Sequence, residues 1–303
     1  MNYLSREQQI AVLSALTEGL GIRATARITG VNRETVGKLA YQVGRGCAEL
    51  HDRIMVGIRV NRIECDELWA YVGHKRNPQK GPVKPSFATG DQYTFIALGA
   101  SSRAIIAYRT GKRDTEMTDQ FIQDLRQRVI GAPEISTDGW RPYKSSIRDA
   151  FGKDVAHGII NKTYSVTHLN VTEASRRYSP AAVVAVAREV VSGEPEQIST
   201  SYVERQNLTL RMASKRFARL SNGFSKRLEC HLAAVALHVA FYNLCRVHET
   251  LRSTPAMALG IADRVWTIGN LLDAALAAVP PLPTPTAPDR RRQFRVIQGG
   301  RTD

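Results

Sequence analysis

The order of apolar segments between residues 60 and 164 constrains the fold more than any other feature of the chain. Five short segments have the composition of β-strands, and two longer ones have the spacing of helices. The predicted strands are Val60–Asp66, Tyr93–Gly99, Ala104–Arg109, Glu134–Thr137 and His157–Tyr164, and the predicted helices are Thr115–Val129 and Tyr143–Phe151. No helix separates the first three strands, which we expect to pair antiparallel, whereas helices precede the last two. This order predicts an α/β domain with a mixed sheet flanked by helices, which is the order of an RNase H-like sheet.

Residues 1–58 have a different pattern and are predicted to form a small all-α domain. The predicted helices are Arg6–Glu18, Ile22–Ile28 and Arg33–Val43, with Ser5 and Asn32 as N-caps. A short helix, a turn with glycine and a second capped helix form the helix-turn-helix pattern. Because the second helix of that motif enters the major groove, we expect Arg33, Thr35 and Lys38 to face DNA, with Asn32 near the phosphates. A plain helical bundle that packs on the rest of the chain is the alternative.

Charge indicates the kind of partner, and cysteine usage indicates the compartment. The 303 residues include 42 Lys and Arg against 28 Asp and Glu, a net charge of +14 that favours a polyanion. A ribosome-associated or merely soluble basic protein would have the same balance. The four cysteines are scattered without paired spacing, so neither a zinc ribbon nor a disulfide framework is expected. The first residues have no apolar core, so we expect no secretory signal and a cytoplasmic location.

Three acidic residues in separate segments are candidates for a metal site. Asp66 ends one predicted strand, Asp138 comes directly after another, and Glu204 opens a predicted basic helix. Carboxylates in such positions can converge on Mg²⁺ ions, which prefer oxygen ligands. Two ions about 3.5–4 Å apart stabilise the attacking and the leaving oxygen of a phosphodiester. With the positive charge of the chain, this chemistry predicts nucleic acid as the substrate.

Four other carboxylates compete for the same role. Two-residue alternation puts Glu64 on the same strand face as Asp66, whereas Glu67 points the other way. Asp149 and Asp154 lie near Asp138 in the sequence, but they follow a predicted helix rather than a strand.

The segment after Glu204 supports a DNA substrate. Between Arg205 and Arg227 there are seven basic residues and no acidic one. Helical spacing places four residues on the face of Glu204: Asn207, Leu208, Arg211 and Lys215. A helix with a metal ligand and cations on one side is expected to lie against a phosphate backbone. An ordinary solvated basic helix is the alternative.

Several motifs resemble those of bacterial insertion-sequence transposases of the Asp-Asp-Glu class. They are Asp66-Glu67-Leu68-Trp69-Ala70-Tyr71-Val72-Gly73, Thr137-Asp138-Gly139-Trp140 with Tyr143, Val203–Arg211, Phe217-Ala218-Arg219-Leu220, Gly223-Phe224-Ser225-Lys226, and Tyr242-Asn243 followed by Arg246, His248, Thr250 and Leu251. The resemblance covers roughly residues 60–260 and is greatest to the insertion-sequence-one family. Many relatives carry a cysteine-rich zinc-binding segment ahead of the helix-turn-helix, which this chain lacks. Recognition of element ends is therefore expected from residues 1–58, or from the catalytic domain and the tail.

The resemblance implies an RNase H-like catalytic domain over residues 59–260, with Asp66, Asp138 and Glu204 as ligands of two Mg²⁺ ions that Mn²⁺ can replace. It ranks Asp66 above Glu64 and Glu67. It implies a transposase that binds inverted-repeat ends of double-stranded DNA, cuts them and joins them to target DNA, working as a homodimer or larger assembly at the bacterial nucleoid. The residues expected to contact DNA in this domain are Arg205, Asn207, Arg211, Lys215, Arg216, Arg246 and His248. A sequence-specific regulator derived from a transposase and a hydrolytic RNase H-like nuclease remain as alternatives.

The remaining segments are predicted in less detail. Residues 165–199 are a possible insertion that includes a predicted helix, Pro180–Val191. Leu228–Val247 is apolar nearly all round, which is typical of a core helix. Residues 261–303 are predicted as a C-terminal helix and a Pro-rich basic tail that begins at Pro280.

Overall fold

A computed structural model describes residues 4–73, 86–164, 183–217 and 222–279 of the chain. The strands are β1 (Arg62–Val72), β2 (Gly90–Gly99), β3 (Ile105–Gly111), β4 (Glu134–Asp138), β5 (His157–Tyr164) and β6 (Val183–Ser192). The helices are α1 (Arg6–Thr17), α2 (Ile22–Thr29), α3 (Arg33–Ile54), α4 (Thr115–Arg128), α5 (Pro142–Phe151), α6 (Ser201–Ala213), α7 (Leu228–Leu244), α8 (Pro255–Ala258) and α9 (Ile268–Ala278), with a 3₁₀-helix at Lys215–Phe217. Part of the possible insertion and the predicted basic tail lie outside the described residues.

One mixed sheet organises the middle of the chain. In the described residues it has six strands in the order β3-β2-β1-β4-β5-β6. The first three strands pair antiparallel, β4 runs parallel to β1, β5 runs parallel to β4, and β6 returns antiparallel to β5. This strand order and these directions confirm the predicted α/β class and are those of an RNase H-like sheet.

Helices cover both faces of the sheet because the strands alternate apolar residues between the two sides. On one face, Ile63 and Cys65 of β1 belong to a core with α4 and α5, which includes the predicted stripe of Met117, Phe121, Leu125 and Val129. On the other face, Leu68 and Ala70 pack in a core with residues of α6 and α7. The two cores hold β1 between layers and fix its direction.

The N-terminal helices share a core with helices from the far end of the sequence. Residues of α1 and α3 lie in one apolar cluster with residues of α7 and α9. A Cβ added to Gly44 would lie 2.2 Å from the carbonyl oxygen of Ala233, and one added to Gly46 would lie 1.9 Å from that of Ala275. The two glycines therefore let α3 approach the other helices at backbone distance. In the described part of the chain, no helix is long and apolar enough to cross a membrane.

Three elements differ from the sequence-based expectation. The predicted helix Pro180–Val191 is wrong for its described residues, because Val183–Ser192 forms β6. The β-branched valines at 183, 184, 186, 190 and 191 favour a strand. Strand β1 continues six residues beyond Asp66, so Asp66 is not a strand end. Helix α3 runs to Ile54 instead of Val43, since packing on α7 and α9 compensates for the glycines within it.

Candidate active site

The candidate site forms where β1 and β4 separate. Their parallel pairing includes Glu64 opposite Ser136 and extends no further along either strand. Asp66 lies two residues beyond that point on β1, and Asp138 lies two residues beyond it at the end of β4. Since β1 stays paired with β2 as far as Val72, Asp66 is held on a rigid strand although it is not at the strand end. The divergence of the two strands opens a gap between their carboxylates.

Carboxylates from three segments line a single cleft of about 510 Å³ at this gap. Carboxylate oxygens of Asp66, Glu67 and Asp138 lie within 4.8 Å of one another and can hold a metal ion. Glu204 of α6 lies in the wall of the same cleft. The described lining residues are Asp66, Glu67, Arg113, Asp138, Gly139, Trp140, Ile160, Asn161, Lys162, Thr200, Glu204, Asn207 and Arg211. The structure thus brings the three predicted acidic residues together and adds Glu67 to them.

Hydrogen bonds fix the direction of each predicted carboxylate. Asn207 Nδ2 donates to Asp66 Oδ2 at 2.7 Å. The backbone N–H of Trp140 donates to Asp138 Oδ1 at 3.0 Å. Thr200 Oγ1 donates to Glu204 Oε1 at 2.6 Å. Asp66 and Glu204 each keep an oxygen outside these bonds, whereas the second oxygen of Asp138 accepts from Arg113.

Two cations enter the acidic cleft from different elements. Arg113, between β3 and α4, donates through Nη2 to Glu67 Oε2 and to Asp138 Oδ2, both at 3.1 Å. Its guanidinium lies 4.3 Å from the centre of the Trp140 ring. Lys162 of β5 donates to Glu204 Oε1. These contacts offset the repulsion among the carboxylates.

Burial and mutual repulsion change the ionisation of two of the carboxyl groups. Burial, followed by the charge of Asp138, raises the pKa of Asp66 to about 6. The same two causes raise the pKa of Glu67 to about 8. The side chain of Glu67 is only 2% exposed, which explains why burial is the larger cause. Asp66 is therefore largely ionised at neutral pH, whereas Glu67 still carries much of its proton.

Glu64, a competing candidate, has a structural position instead. Its buried carboxylate accepts hydrogen bonds from the backbone N–H groups of Tyr202 and Val203, at 2.7 and 3.1 Å. These groups open α6, so the negative charge lies at the positive end of the helix. Burial raises the pKa of Glu64, and the two N–H groups oppose that rise. Glu64 thereby ties α6, which carries Glu204, to β1, which carries Asp66.

The predicted DNA-binding residues near the cleft separate into two groups. Asn207 and Arg211 of α6 line the cleft with Glu204. Arg205 and Leu208 are exposed on the outer side of the helix. Helix α6 ends before Lys215, so Lys215 and Arg216 belong to the following 3₁₀-helix. Arg216, which is partly buried, donates to Ser225 Oγ at 2.9 Å.

The remaining predicted contacts lie elsewhere on the described surface. Arg246 is exposed after α7, and His248 Nδ1 is 2.9 Å from Thr250 Oγ1; neither residue lines the cleft. Asn32, Arg33 and Lys38 are exposed at the start of α3, with Thr35 half-buried beside them. Asn32 Oδ1 also caps α3 by accepting from the N–H of Glu34 at 2.8 Å. Their contact with DNA stays a prediction.

Three cleft residues were missed or ranked low from the sequence. Glu67 was placed on the opposite strand face, and alternation does put it on the α4 side, yet its carboxylate still reaches the cluster. Arg113 and Lys162 carry no motif. The only local signals are two positions in the sequence. Arg113 precedes the N-cap of α4, and Lys162 comes two residues after Ile160, which pairs with Asp138 at the end of the β4–β5 register.

Comparisons with known proteins give no family assignment. No protein-family model matches the sequence, and no curated protein matches it. Among solved structures, the chain is similar to one titled "Crystal structure of a pre-cleavage Mos1 transpososome", at 10% identity over 79% of each chain and a TM-score of 0.22. A TM-score of 0.22 is too low to establish a shared fold, so the fold is assigned from the strand order of the sheet itself.

Proposed function

We propose that this protein is a DNA transposase that binds the ends of a mobile element and catalyses metal-dependent cleavage and strand transfer. One observation carries the proposal: Asp66, Asp138 and Glu204, from three distant segments, line one cleft of an RNase H-like sheet. The motifs that contain these three acids follow one another in the order found in transposases of the Asp-Asp-Glu class, which they resemble. A homodimer or larger assembly that holds the element ends, at the bacterial nucleoid in the cytoplasm, is part of the proposal.

The cleft fits divalent metal ions. Its donors are carboxylate oxygens, which suit hard cations such as Mg²⁺ and Mn²⁺. Glu67 Oε1 is buried without a hydrogen-bond partner among the described residues, next to Asp66 and Asp138. Asp66, Asp138 and Glu204 would hold the ions, with Glu67 beside them. When bound, the ions would supply an activated oxygen nucleophile and stabilise charge on the leaving oxygen.

The protein's own groups would orient these ligands and the DNA. Asn207 and Thr200 hold the carboxylates of Asp66 and Glu204 in fixed directions, so little reorganisation is needed when the site is loaded. Arg211 adds positive charge to the cleft wall, where it would attract phosphate oxygens.

End recognition would come from the start of α3. Asn32, Arg33, Thr35 and Lys38 lie on its first turns, where a helix-turn-helix protein contacts bases and phosphates.

A strand-transfer assay with purified protein tests the proposal. The substrate is duplex DNA ending in the inverted repeats that bracket the gene, incubated with Mg²⁺ and a target plasmid. A transposase joins the 3′-hydroxyl of the repeat to the plasmid, and a duplex with shuffled repeats is the control. Hydrolysis of both duplexes without joining would indicate a nuclease, and binding without cleavage would indicate a regulator; either result would reject the proposal.

A further inference from the structure

Two of the cations in the acidic cleft contact the carboxylates that would hold the metal ions. We propose that Arg113 and Lys162 bind phosphate oxygens of the DNA strand in the cleft, and that they are held on the carboxylates until metal ions take their place. This inference rests on the proposed function and deepens it, because it names residues that position the substrate. Each cation would pair with a carboxylate before metal ions bind, and with a phosphodiester of the DNA afterwards.

Arg113 has the geometry of a phosphate-binding residue. It contacts Glu67 and Asp138 through the same terminal nitrogen, Nη2, at 3.1 Å from each. The Trp140 ring, 4.3 Å from the guanidinium carbon, sets the orientation of the group. A guanidinium presents donors in a planar fork that matches phosphate as well as carboxylate. Its side chain remains 32% exposed, so a strand entering the cleft can reach it.

Lys162 approaches the acidic residues from a different element. It lies on β5, next to Asn161 in the wall of the cleft, and donates to Glu204. The side chains of Lys162 and Glu204 are 25% and 39% exposed. An ion pair this accessible is weak and can exchange its partner, because water screens both charges.

The charge balance of the cleft explains why the cations would change partners. The described lining contains four carboxylates, Asp66, Glu67, Asp138 and Glu204, and three cations, Arg113, Lys162 and Arg211. The formal charge is therefore close to neutral before any ion binds. Divalent ions would occupy the carboxylate oxygens and leave a surplus of positive charge beside Arg113 and Lys162. Phosphate oxygens are the groups that would neutralise that surplus.

This exchange predicts opposite effects on two ligands. In a variant without the Lys162 charge, Mg²⁺ does not have to displace a cation from Glu204, so Mg²⁺ should bind more tightly. DNA should bind less tightly, because one phosphate contact is lost. If Lys162 only supported the fold, its replacement would weaken the binding of both Mg²⁺ and DNA.

Calorimetric titration of the full chain with Mg²⁺, without DNA, tests the first effect. Lys162→Met and Arg113→Gln should each tighten Mg²⁺ binding by roughly 3- to 10-fold, the range expected for losing a partly exposed charge pair. Lys162→Arg should behave like the wild type. Lys144→Met is the matched control, since Lys144 forms an exposed ion pair with Glu189 away from the cleft. Unchanged or weaker Mg²⁺ binding in both cleft variants would overturn the inference.

Binding of a fluorescent duplex in Ca²⁺ at several salt concentrations tests the second effect. Each cleft variant should reduce the slope of log affinity against log salt by about 0.9. An unchanged slope in both variants would also overturn the inference. Asp66→Asn separates this failure from that of the proposed function. If Asp66→Asn and the wild type bind Mg²⁺ equally, the cleft is not a metal site and the proposed function fails. If Asp66→Asn abolishes Mg²⁺ binding while Lys162→Met and Arg113→Gln leave it unchanged, the metal site stands and only the exchange of cations is rejected.

Discussion

Asp66 must lose its proton before it can bind a metal ion, and its neighbours decide at which pH this happens. Burial and the charge of Asp138 raise its pKa to about 6, while the hydrogen bond from Asn207 lowers it. The neutral amide of Asn207 therefore has a functional consequence, because it stabilises the ionised form of the acid. The acid side of the pH profile should therefore respond to a change at Asn207.

Replacing Asn207 with Ala should shift cleavage to higher pH. Loss of the 2.7 Å hydrogen bond removes an interaction with the ionised form, so the pKa of Asp66 should rise further above its ordinary value. The expected shift is roughly 0.5–1 unit, the equivalent of one hydrogen bond. The measurement is the single-turnover cleavage rate between acid and neutral pH at fixed, subsaturating Mg²⁺. Leu208→Ala, on the exposed side of the same helix, is the control. An acid limb at the same pH in Asn207→Ala would contradict this explanation.

Site residues with a local signal could be predicted, and residues defined by tertiary contacts could not. Asp138 follows the predicted strand Glu134–Thr137 and Glu204 opens a helix, so both are recognisable from the sequence. Arg113 and Lys162 are defined by partners 25 to 46 residues away, and nothing in their own segments indicates those partners. Glu67 reaches the cluster because β1 leaves β4 at this position, which alternation along a single strand does not reveal.

At the scale of elements, close packing of α3 determines where helix-breaking residues are tolerated. Gly44 and Gly46 face backbone atoms of α7 and α9, whereas Gly37 faces only the side chain of Ile22 at 3.9 Å. All three glycines lie inside the same helix. Substitutions at these glycines can therefore distinguish two contributions to stability: the close approach of two helices, and the low helix propensity of glycine.

Alanine substitutions in α3 should have opposite signs at these positions. Gly44→Ala should destabilise the protein by about 1–3 kcal/mol, because the new methyl group meets the Ala233 carbonyl and the helices must separate. Gly37→Ala should stabilise it by about 0.5–1 kcal/mol, because alanine is the better helix former and the space is free. The free energy of unfolding by urea measures both effects. Equal effects of the two substitutions would show that α3 does not approach α7 this closely.

The apolar pattern predicted most elements of the sheet but misassigned the exposed segment at its edge. The stripe of Met117 to Val129 identified α4 correctly, since a buried helix face repeats over several turns. The Val-rich segment of β6 is exposed along nearly its whole length at the sheet edge, so it lacks the alternation that marks a half-buried strand. The continuation of β1 past Asp66 depends on pairing with β2, which is a long-range property.

For the whole molecule, the shared N-terminal core affects how the chain can be divided. Buried residues of α1 and α3 form one cluster with those of α7 and α9, including Leu237, Leu244 and Leu272. The boundary predicted at residue 58 falls within the chain that joins this core to the sheet. A DNA-binding unit attached in this way would move rigidly with the cleft.

Removal of residues 1–58 should therefore unfold part of the remaining protein. The truncated chain would expose the apolar faces of α7 and α9, which α3 covers in the full chain. We expect aggregation, or loss of the near-ultraviolet circular dichroism signal, in this fragment. A chain that ends at residue 279 is the control because it retains the shared core. A soluble, cooperatively unfolding fragment of residues 59–303 would contradict the prediction.

Single-turnover cleavage of element-end DNA by acid-to-amide variants tests the central claim most directly. Asp66→Asn, Asp138→Asn and Glu204→Gln should each reduce Mg²⁺-dependent cleavage by about 100-fold or more, because each alters a group that positions the reaction. End binding should remain nearly unchanged in all three. Asp149→Asn is the control, since Asp149 pairs with Arg148 at the surface. Wild-type cleavage in any one of the three cleft variants would contradict the assignment of that residue and the proposed site.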